Sequence, residues 1–256
     1  MIGILDSGIG GLSVWAEIVR LLPFESILYY ADTKNCPYGS RSPEQILSFS
    51  RTCVEWLVAR GVGIVVVACN TITGAAIDNF RAEFPSIRFV GMEPAIKPAA
   101  TASRSGVVGV LATKATLSGH LYLNTKALMS GVKLVEVAGE GLVELVESGQ
   151  QNSPEAEVLL EEYLRPMIAA GADGVVLGCT HYPFLKRAIK KIIGPSIRIV
   201  DPAPAVARRT KFLMEKYSLF KGEAYVPGQH VFYSSAGPVE SIKVEQIATK
   251  LLENGN

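Results

Sequence analysis

One stretch of this sequence occurs twice. Gly61-Val62-Gly63-Ile64-Val65-Val66-Val67-Ala68-Cys69-Asn70-Thr71 resembles Gly171-Ala172-Asp173-Gly174-Val175-Val176-Leu177-Gly178-Cys179-Thr180-His181. Each copy runs from glycine through an apolar strand to a small residue, a cysteine and then polar residues. The spacing between Cys69 and Cys179 also separates Phe89-Val90 from Ile199-Val200 and Pro94-Ala95 from Pro204-Ala205. The opening segment has a counterpart too, since Gly3-Ile4-Leu5-Asp6-Ser7 resembles Gly109-Val110-Leu111-Ala112-Thr113. Two α/β halves related by a pseudo-twofold axis follow from such a repeat.

The remaining pattern agrees. Ile2 to Leu5, Ile27 to Ala31, Ile64 to Ala68, Val107 to Leu111, Lys133 to Val137, Gly174 to Gly178 and Ile197 to Val200 read as buried strands. Helical patterns lie between most of them, among them Pro43 to Arg60, Pro154 to Ala170 and Phe184 to Ile193. Alternation of this kind predicts mainly parallel sheets with helices on both faces. The tail from Arg208 has no partner in the first half. It predicts a helix (Arg208 to Tyr217), a strand (His230 to Ser234) and a last helix (Val239 to Leu252), placed back on the first domain. The expected fold is therefore α/β with two pseudo-symmetric domains, 1–96 plus 209–256 and 97–208, and an active site in the cleft between them.

Charge is nearly balanced, with 25 Lys+Arg against 24 Asp+Glu. That gives no electrostatic reason to expect nucleic acid or an anionic membrane as partner. No apolar stretch reaches bilayer length, and the start of the chain reads as a strand rather than a signal peptide. A soluble, cytoplasmic protein is expected. Four cysteines among 256 residues do not form a disulfide framework. They are buried hydrophobes or chemically used thiols.

Ligands of open α/β sheets bind beyond the carboxyl ends of the strands. Four polar segments fall there: Asp6-Ser7-Gly8, Cys69-Asn70-Thr71, Thr113-Lys114-Ala115-Thr116 and Cys179-Thr180-His181. Each is expected to lead into a helix, whose N-terminal N–H groups and dipole favour an anionic ligand and a thiolate. A free thiol titrates near about 8.5, so local lowering helps it act as a base. Two cysteines at equivalent places in a repeat can reach one carbon from opposite faces. One removes a proton, the other delivers one, and the stereocentre inverts. No motif for a pyridoxal phosphate electron sink is present, so developing carbanionic charge must be met by oriented donors. Candidates are the N–H groups after Asp6, Cys69, Thr113 and Cys179, with the side chains of Ser7, Asn70, Thr71, Thr113 and Thr180. Asp6 suits a substrate ammonium or a nearby thiol.

Plainer readings stand beside these. Cys69 and Cys179 could be strand-end hydrophobes, metal ligands or a redox pair, but no CxxC or HxxxH spacing accompanies them. Cys53 falls in a helical pattern and reads as core. Cys36 reads as a loop thiol, His120 and His230 as structural or surface residues, and Lys114 as a solvated helix-start lysine. Gly8-Ile9-Gly10-Gly11 lacks the dinucleotide pattern, which leaves a carboxylate as the better ligand. Asp6 could simply cap the next helix, and Glu147 could be an ordinary exposed helix residue.

Taken together, Asp6-Ser7-Gly8-Ile9-Gly10-Gly11, Pro37-Tyr38-Gly39, Ala68-Cys69-Asn70-Thr71, Glu93-Pro94-Ala95, Ala112-Thr113-Lys114-Ala115-Thr116 and Gly178-Cys179-Thr180-His181-Tyr182-Pro183 closely resemble the glutamate racemase branch of the aspartate/glutamate racemase superfamily. The resemblance covers essentially the whole chain. It implies interconversion of L- and D-glutamate without cofactor or metal, supplying D-glutamate for peptidoglycan. It further implies that Cys69 deprotonates D-glutamate and Cys179 L-glutamate, with Asp6 and Glu147 assisting the first thiol and His181 the second. Substrate contacts implied are Asp6, Ser7, Tyr38, Gly39, Asn70, Thr71, Thr113, Thr180 and His181. Glu147 is carried over from the looser motif Glu144-Leu145-Val146-Glu147-Ser148-Gly149. Many relatives associate as dimers, so a homodimer is allowed. Two positions depart from the family pattern: Ile72, where many relatives have a small residue, and Cys36 before Pro37. Rival readings are the same chemistry on aspartate or a hydantoin, and a non-catalytic amino-acid-binding module.

Overall fold

The computed structural model of the chain describes residues 1–220 and 227–253. Positions 221–226 and 254–256 belong to the tail expected on the first domain and lie outside the described residues. In chain order the elements start with β1 (Ile2–Asp6), α1 (Leu12–Leu21), β2 (Ile27–Ala31), α2 (Pro43–Val58), β3 (Ile64–Val67), α3 (Asn70–Glu83) and β4 (Arg88–Gly91). They continue with α4 (Ile96–Ala102), β5 (Val107–Ala112), α5 (Lys114–Ser118), α6 (His120–Ala127), β6 (Lys133–Ala138), α7 (Leu142–Glu147), α8 (Pro154–Ala169) and β7 (Gly174–Gly178). A 3-10 turn (Tyr182–Leu185) precedes α9 (Lys186–Ile193), β8 (Arg198–Val200), α10 (Ala203–Lys216), β9 (His230–Ser234) and α11 (Pro238–Glu253). No helix among the described residues is long and apolar enough to cross a membrane.

Two compact units result. The first is Met1–Met92 with the described residues from Ala203 onward, and the second is Glu93–Pro202. The breaks fall a few residues before the expected 96/97 and 208/209. The later one moves because α10 begins at Ala203 rather than Arg208. Pro204 sits in its first turn, where a missing N–H removes no intrahelical bond.

The first unit holds a five-stranded sheet in the order β4-β3-β1-β2-β9, and the second a four-stranded sheet in the order β6-β5-β7-β8. Every strand pair is parallel. Strands β1, β2, β3 and β7 are buried along their whole length. Burial on both faces explains why they read as continuous apolar runs instead of alternating ones.

Matching β1 to β5, β2 to β6, β3 to β7 and β4 to β8, the two sheets share one strand order. The repeat in the sequence is thus a repeat of topology. The first sheet gains β9, paired in register from Ile27↔His230 to Ala31↔Ser234. In each sheet successive connections leave in opposite directions at one point, between β1 and β3 and between β5 and β7. A crevice opens at such a switch point, beyond the strand ends.

Candidate active site

Asp6 ends β1 with its side chain fully buried. Its Oδ2 accepts the Gly8 amide at 2.9 Å, and its carbonyl accepts the Asp32 amide at 3.0 Å. The Tyr29 hydroxyl donates to the Gly8 carbonyl at 2.9 Å. The turn after β1 is therefore held by side chains of its own sheet. Gly11 closes it without room for a side chain: a Cβ there would stand 2.7 Å from Asp6 Cβ and 2.8 Å from Tyr29 Oη. The segment reaches α1 only at Leu12, so Asp6 is not the residue next to the helix.

Cys69 lies just past β3, in extended conformation, as the residue that begins α3. It is buried, and its thiol donates to Ser7 Oγ across 3.7 Å. The first N–H groups of an α-helix have no intrahelical acceptor and favour negative charge. Asn70 and Thr71 follow, both buried. The Asn70 side chain has neither its Oδ1 nor its Nδ2 hydrogen-bonded among the described residues. A buried amide in that state is costly. A ligand bearing both a carboxylate and an ammonium group would satisfy the two ends at once.

Tyr38 is 1% exposed, and its hydroxyl donates to the Asp32 carboxylate. Asn35 Nδ2 donates to both Asp32 oxygens, at 3.1 and 2.9 Å. Burial first, then the Asp32 carboxylate, pushes the Tyr38 phenol far above its ordinary range, so it remains an O–H donor. The Phe49 ring of α2 backs it at 6.1 Å between centroids. Gly39 follows, half-buried. Asp32 is absent from the sequence-based site. Its signal was its place directly after Ala31, at the carboxyl end of β2.

In the second unit Thr113 caps α5, its Oγ1 accepting the Thr116 amide at 3.2 Å. Lys114 is exposed. Cys179 follows β7 directly and is buried, as are Thr180 and His181. Cys179 Sγ lies 3.7 Å from His181 Nδ1, and His181 Nε2 lies 2.5 Å from Glu147 Oε1. A carboxylate can only accept, so Nε2 carries the proton donated to Glu147. In the neutral ring Nδ1 is then an acceptor facing the Cys179 thiol. Glu147, assigned by resemblance to the first thiol, is thus hydrogen-bonded to the imidazole beside the second.

The segment after Cys179 enters a 3-10 turn instead of the expected α-helix. Pro183 has no N–H for an α-helical bond, and the Cys179 carbonyl accepts the Tyr182 amide at 3.2 Å instead. Tyr182 is fully buried and donates its hydroxyl to the Gly139 carbonyl at 3.0 Å. None of the four cysteines is in a disulfide, and Cys53, buried in α2, donates to the Phe49 carbonyl at 3.2 Å. Cys36 is half-buried in the loop before Tyr38. The expected residues therefore sort into two sets. Asp6, Ser7, Tyr38, Gly39, Cys69, Asn70 and Thr71 belong to the first unit, and Thr113, Glu147, Cys179, Thr180 and His181 to the second.

Comparison with known proteins identifies the family. The family model for Asp/Glu/Hydantoin racemase matches residues 2–210. The glutamate racemase of Roseiflexus sp. (strain RS-1) is 50% identical over 221 residues, covering 86% of this chain and 81% of that protein. The crystal structure of glutamate racemase isoform RacE1 from Bacillus anthracis matches with a TM-score of 0.86 at 33% identity, covering 99% of this chain and 94% of that one. The glutamate racemase from Francisella tularensis subsp. tularensis SCHU S4, solved in complex with D-glutamate, matches with a TM-score of 0.82 at 26% identity, covering 97% and 93%. The chain belongs to the Asp/Glu/hydantoin racemase family, within its glutamate racemase branch.

Proposed function

We propose that this enzyme interconverts L- and D-glutamate by a two-thiol proton exchange that uses no cofactor. The observation that carries the reading is the equivalence of Cys69 and Cys179. Each follows the same strand of one shared sheet order, and each has a polar neighbour 3.7 Å from its sulfur. A merely structural thiol has no reason to recur this way in both units.

In the forward step the Cys179 thiolate takes the α-proton of L-glutamate while the Cys69 thiol gives its own proton to the opposite face. The product is D-glutamate, with Cys69 left as thiolate. The reverse step exchanges the roles. His181 Nδ1 readies Cys179 by accepting its S–H proton, and Glu147 steadies the imidazolium that results. Asp6 assists Cys69. Ser7, Tyr38, Gly39, Asn70, Thr71, Thr113, Thr180 and His181 make the substrate contacts. Carbanionic charge builds on the substrate as the proton leaves, and fixed N–H and O–H donors stabilise it without reorganising.

The same proposal takes the two compact units as the protein's two domains. It places the enzyme in the cytoplasm as a supplier of D-glutamate for peptidoglycan, and allows a homodimer. These points rest on the family resemblance.

Incubation with L-glutamate in deuterium oxide tests the reading. D-glutamate carrying deuterium at the α-carbon is expected. Binding without exchange would make the chain an amino-acid-binding module. Faster turnover of aspartate or a hydantoin would move it elsewhere in the family.

A further inference from the structure

The Glu147–His181 hydrogen bond joins residues far apart in the chain, and α7 determines where its carboxylate stands. Helix α7 has six residues and is too short to be stable alone. It enters through Gly141, whose φ is 79°. It buries Leu142, Val143, Leu145 and Val146, and Glu147 is its last residue. Its lead-in, Gly139, donates its amide to the Ala112 carbonyl at 3.0 Å and accepts the Tyr182 hydroxyl at 3.0 Å. Contact there is tight, since a Cβ on Gly139 would stand 2.5 Å from Tyr182 Oη. His181 and Tyr182 are adjacent. One turn therefore grips α7 at both ends, His181 at its carboxyl end and Tyr182 at its entry.

We propose that Tyr182 is a positioning residue of the reaction: its hydroxyl, by fixing Gly139, sets α7 so that the Glu147 carboxylate stays on His181 Nε2. The kinetic part of this inference rests on the racemase reading above. Burial, and next the neighbouring Cys179, push the phenol well above its ordinary range, so Tyr182 serves as a constant donor and not as an acid or base. Its ring fills the core. The hydroxyl makes the hydrogen bond to the loop that leads into α7.

The test is a double-mutant cycle between Tyr182→Phe and Glu147→Ala. Losing one buried hydrogen bond that orients a working group is expected to lower kcat about tenfold with little change in KM. Once Glu147 is gone there is no carboxylate left to position, so in the Glu147→Ala background the same change should lower kcat by less than about twofold. An equal loss in both backgrounds would assign Tyr182 a general structural role and overturn the proposal. A second readout needs no activity. With only three histidines in the chain, the His181 Nε2–H resonance can be assigned in protein labelled at histidine nitrogen. It should lose its strongly hydrogen-bonded, downfield position in Tyr182→Phe, and an unshifted resonance would refute the link. If the unmodified enzyme did not racemise glutamate, the functional reading would fall while this resonance still decided the inference. Should Tyr182→Phe not fold, Gly139→Ala strikes the same contact from the loop. It should shift the same resonance, and an unchanged signal would again refute the link.

Discussion

Tyr38 hands its hydroxyl to the carboxylate of Asp32, and both side chains are buried. Asp32 also takes both of its contacts with Asn35 from one amide, so among the described residues Tyr38 is one of two side-chain donor groups holding this carboxylate. Tyr38→Phe keeps the ring against Phe49 but strips that donor from a buried charge. A loss of about 1–3 kcal/mol in stability is expected, together with a raised KM if Tyr38 contacts substrate. Urea unfolding reads the first and steady-state kinetics the second. An unchanged unfolding midpoint would mean that water replaces the hydroxyl without loss.

The two thiols should be individually indispensable. Serine is nearly isosteric with cysteine but far too weak an acid to exchange a proton with the α-carbon. Cys69→Ser and Cys179→Ser are each expected to abolish full turnover while leaving the circular dichroism spectrum unchanged. Both sulfurs are buried, so the fold should tolerate an atom of similar size. Normal racemisation by either variant would remove that residue from the mechanism.

Much of this architecture was legible because buried parallel strands are written as unbroken apolar runs. The expected limits of β2, β7 and β9 coincide with those observed. Both cysteines and their polar followers could be placed because strand ends and repeat spacing are local information. What escaped depends on contacts between distant segments. Tyr38 and Asp32 share one short segment, yet their bond depends on how the loop between them turns back on itself. Glu147 meets His181 only because α7 packs against the turn after β7. Its carboxylate could not be assigned to a thiol from spacing alone. The 3-10 turn after Cys179 was visible in principle, since Pro183, four residues on, has no N–H with which an α-helix would bond the Cys179 carbonyl.

Glycines at the two strand-end turns should reject a methyl group, whereas a glycine within α3 should accept one. A Cβ on Gly11 would press on Asp6 and Tyr29, and one on Gly178 would stand 2.6 Å from Ala112 Cβ and 3.2 Å from the Leu111 carbonyl. Neither neighbour is the free end of a flexible chain. Gly11→Ala and Gly178→Ala are expected to lose about 1–3 kcal/mol by overpacking and to impair activity. Gly74 lies in α3 with nothing within 4 Å of its virtual Cβ. Gly74→Ala should gain about 0.5–1 kcal/mol. Thermal unfolding of the three variants checks the contrast, and stabilisation by Gly11→Ala would contradict the packing described here.

Asp173 gives the second unit an acid-sensitive contact just before β7, at the opposite end of that strand from Cys179. Its carboxylate accepts the Arg104 amide at 2.5 Å, the Ser103 hydroxyl at 2.7 Å and the Ser105 amide at 3.1 Å, fastening the turn before β5 to the turn before β7. These donors, the Arg104 amide foremost, lower its pKa from 3.8 to about 2. The folded state therefore holds the ionised form more tightly than the unfolded chain does. Its stabilising contribution is complete above 3.8 and disappears as pH falls toward about 2. Because the group is half-exposed, solvent screening tempers the size of the effect but not its direction. Asp173→Asn should be less stable than the unmodified enzyme at neutral pH, and the gap should close on acidification through that window. Unfolding midpoints of the two proteins, measured side by side as pH is lowered, provide the check. A gap that stayed constant down to the acid end would mean that the turn is held by something other than this carboxylate.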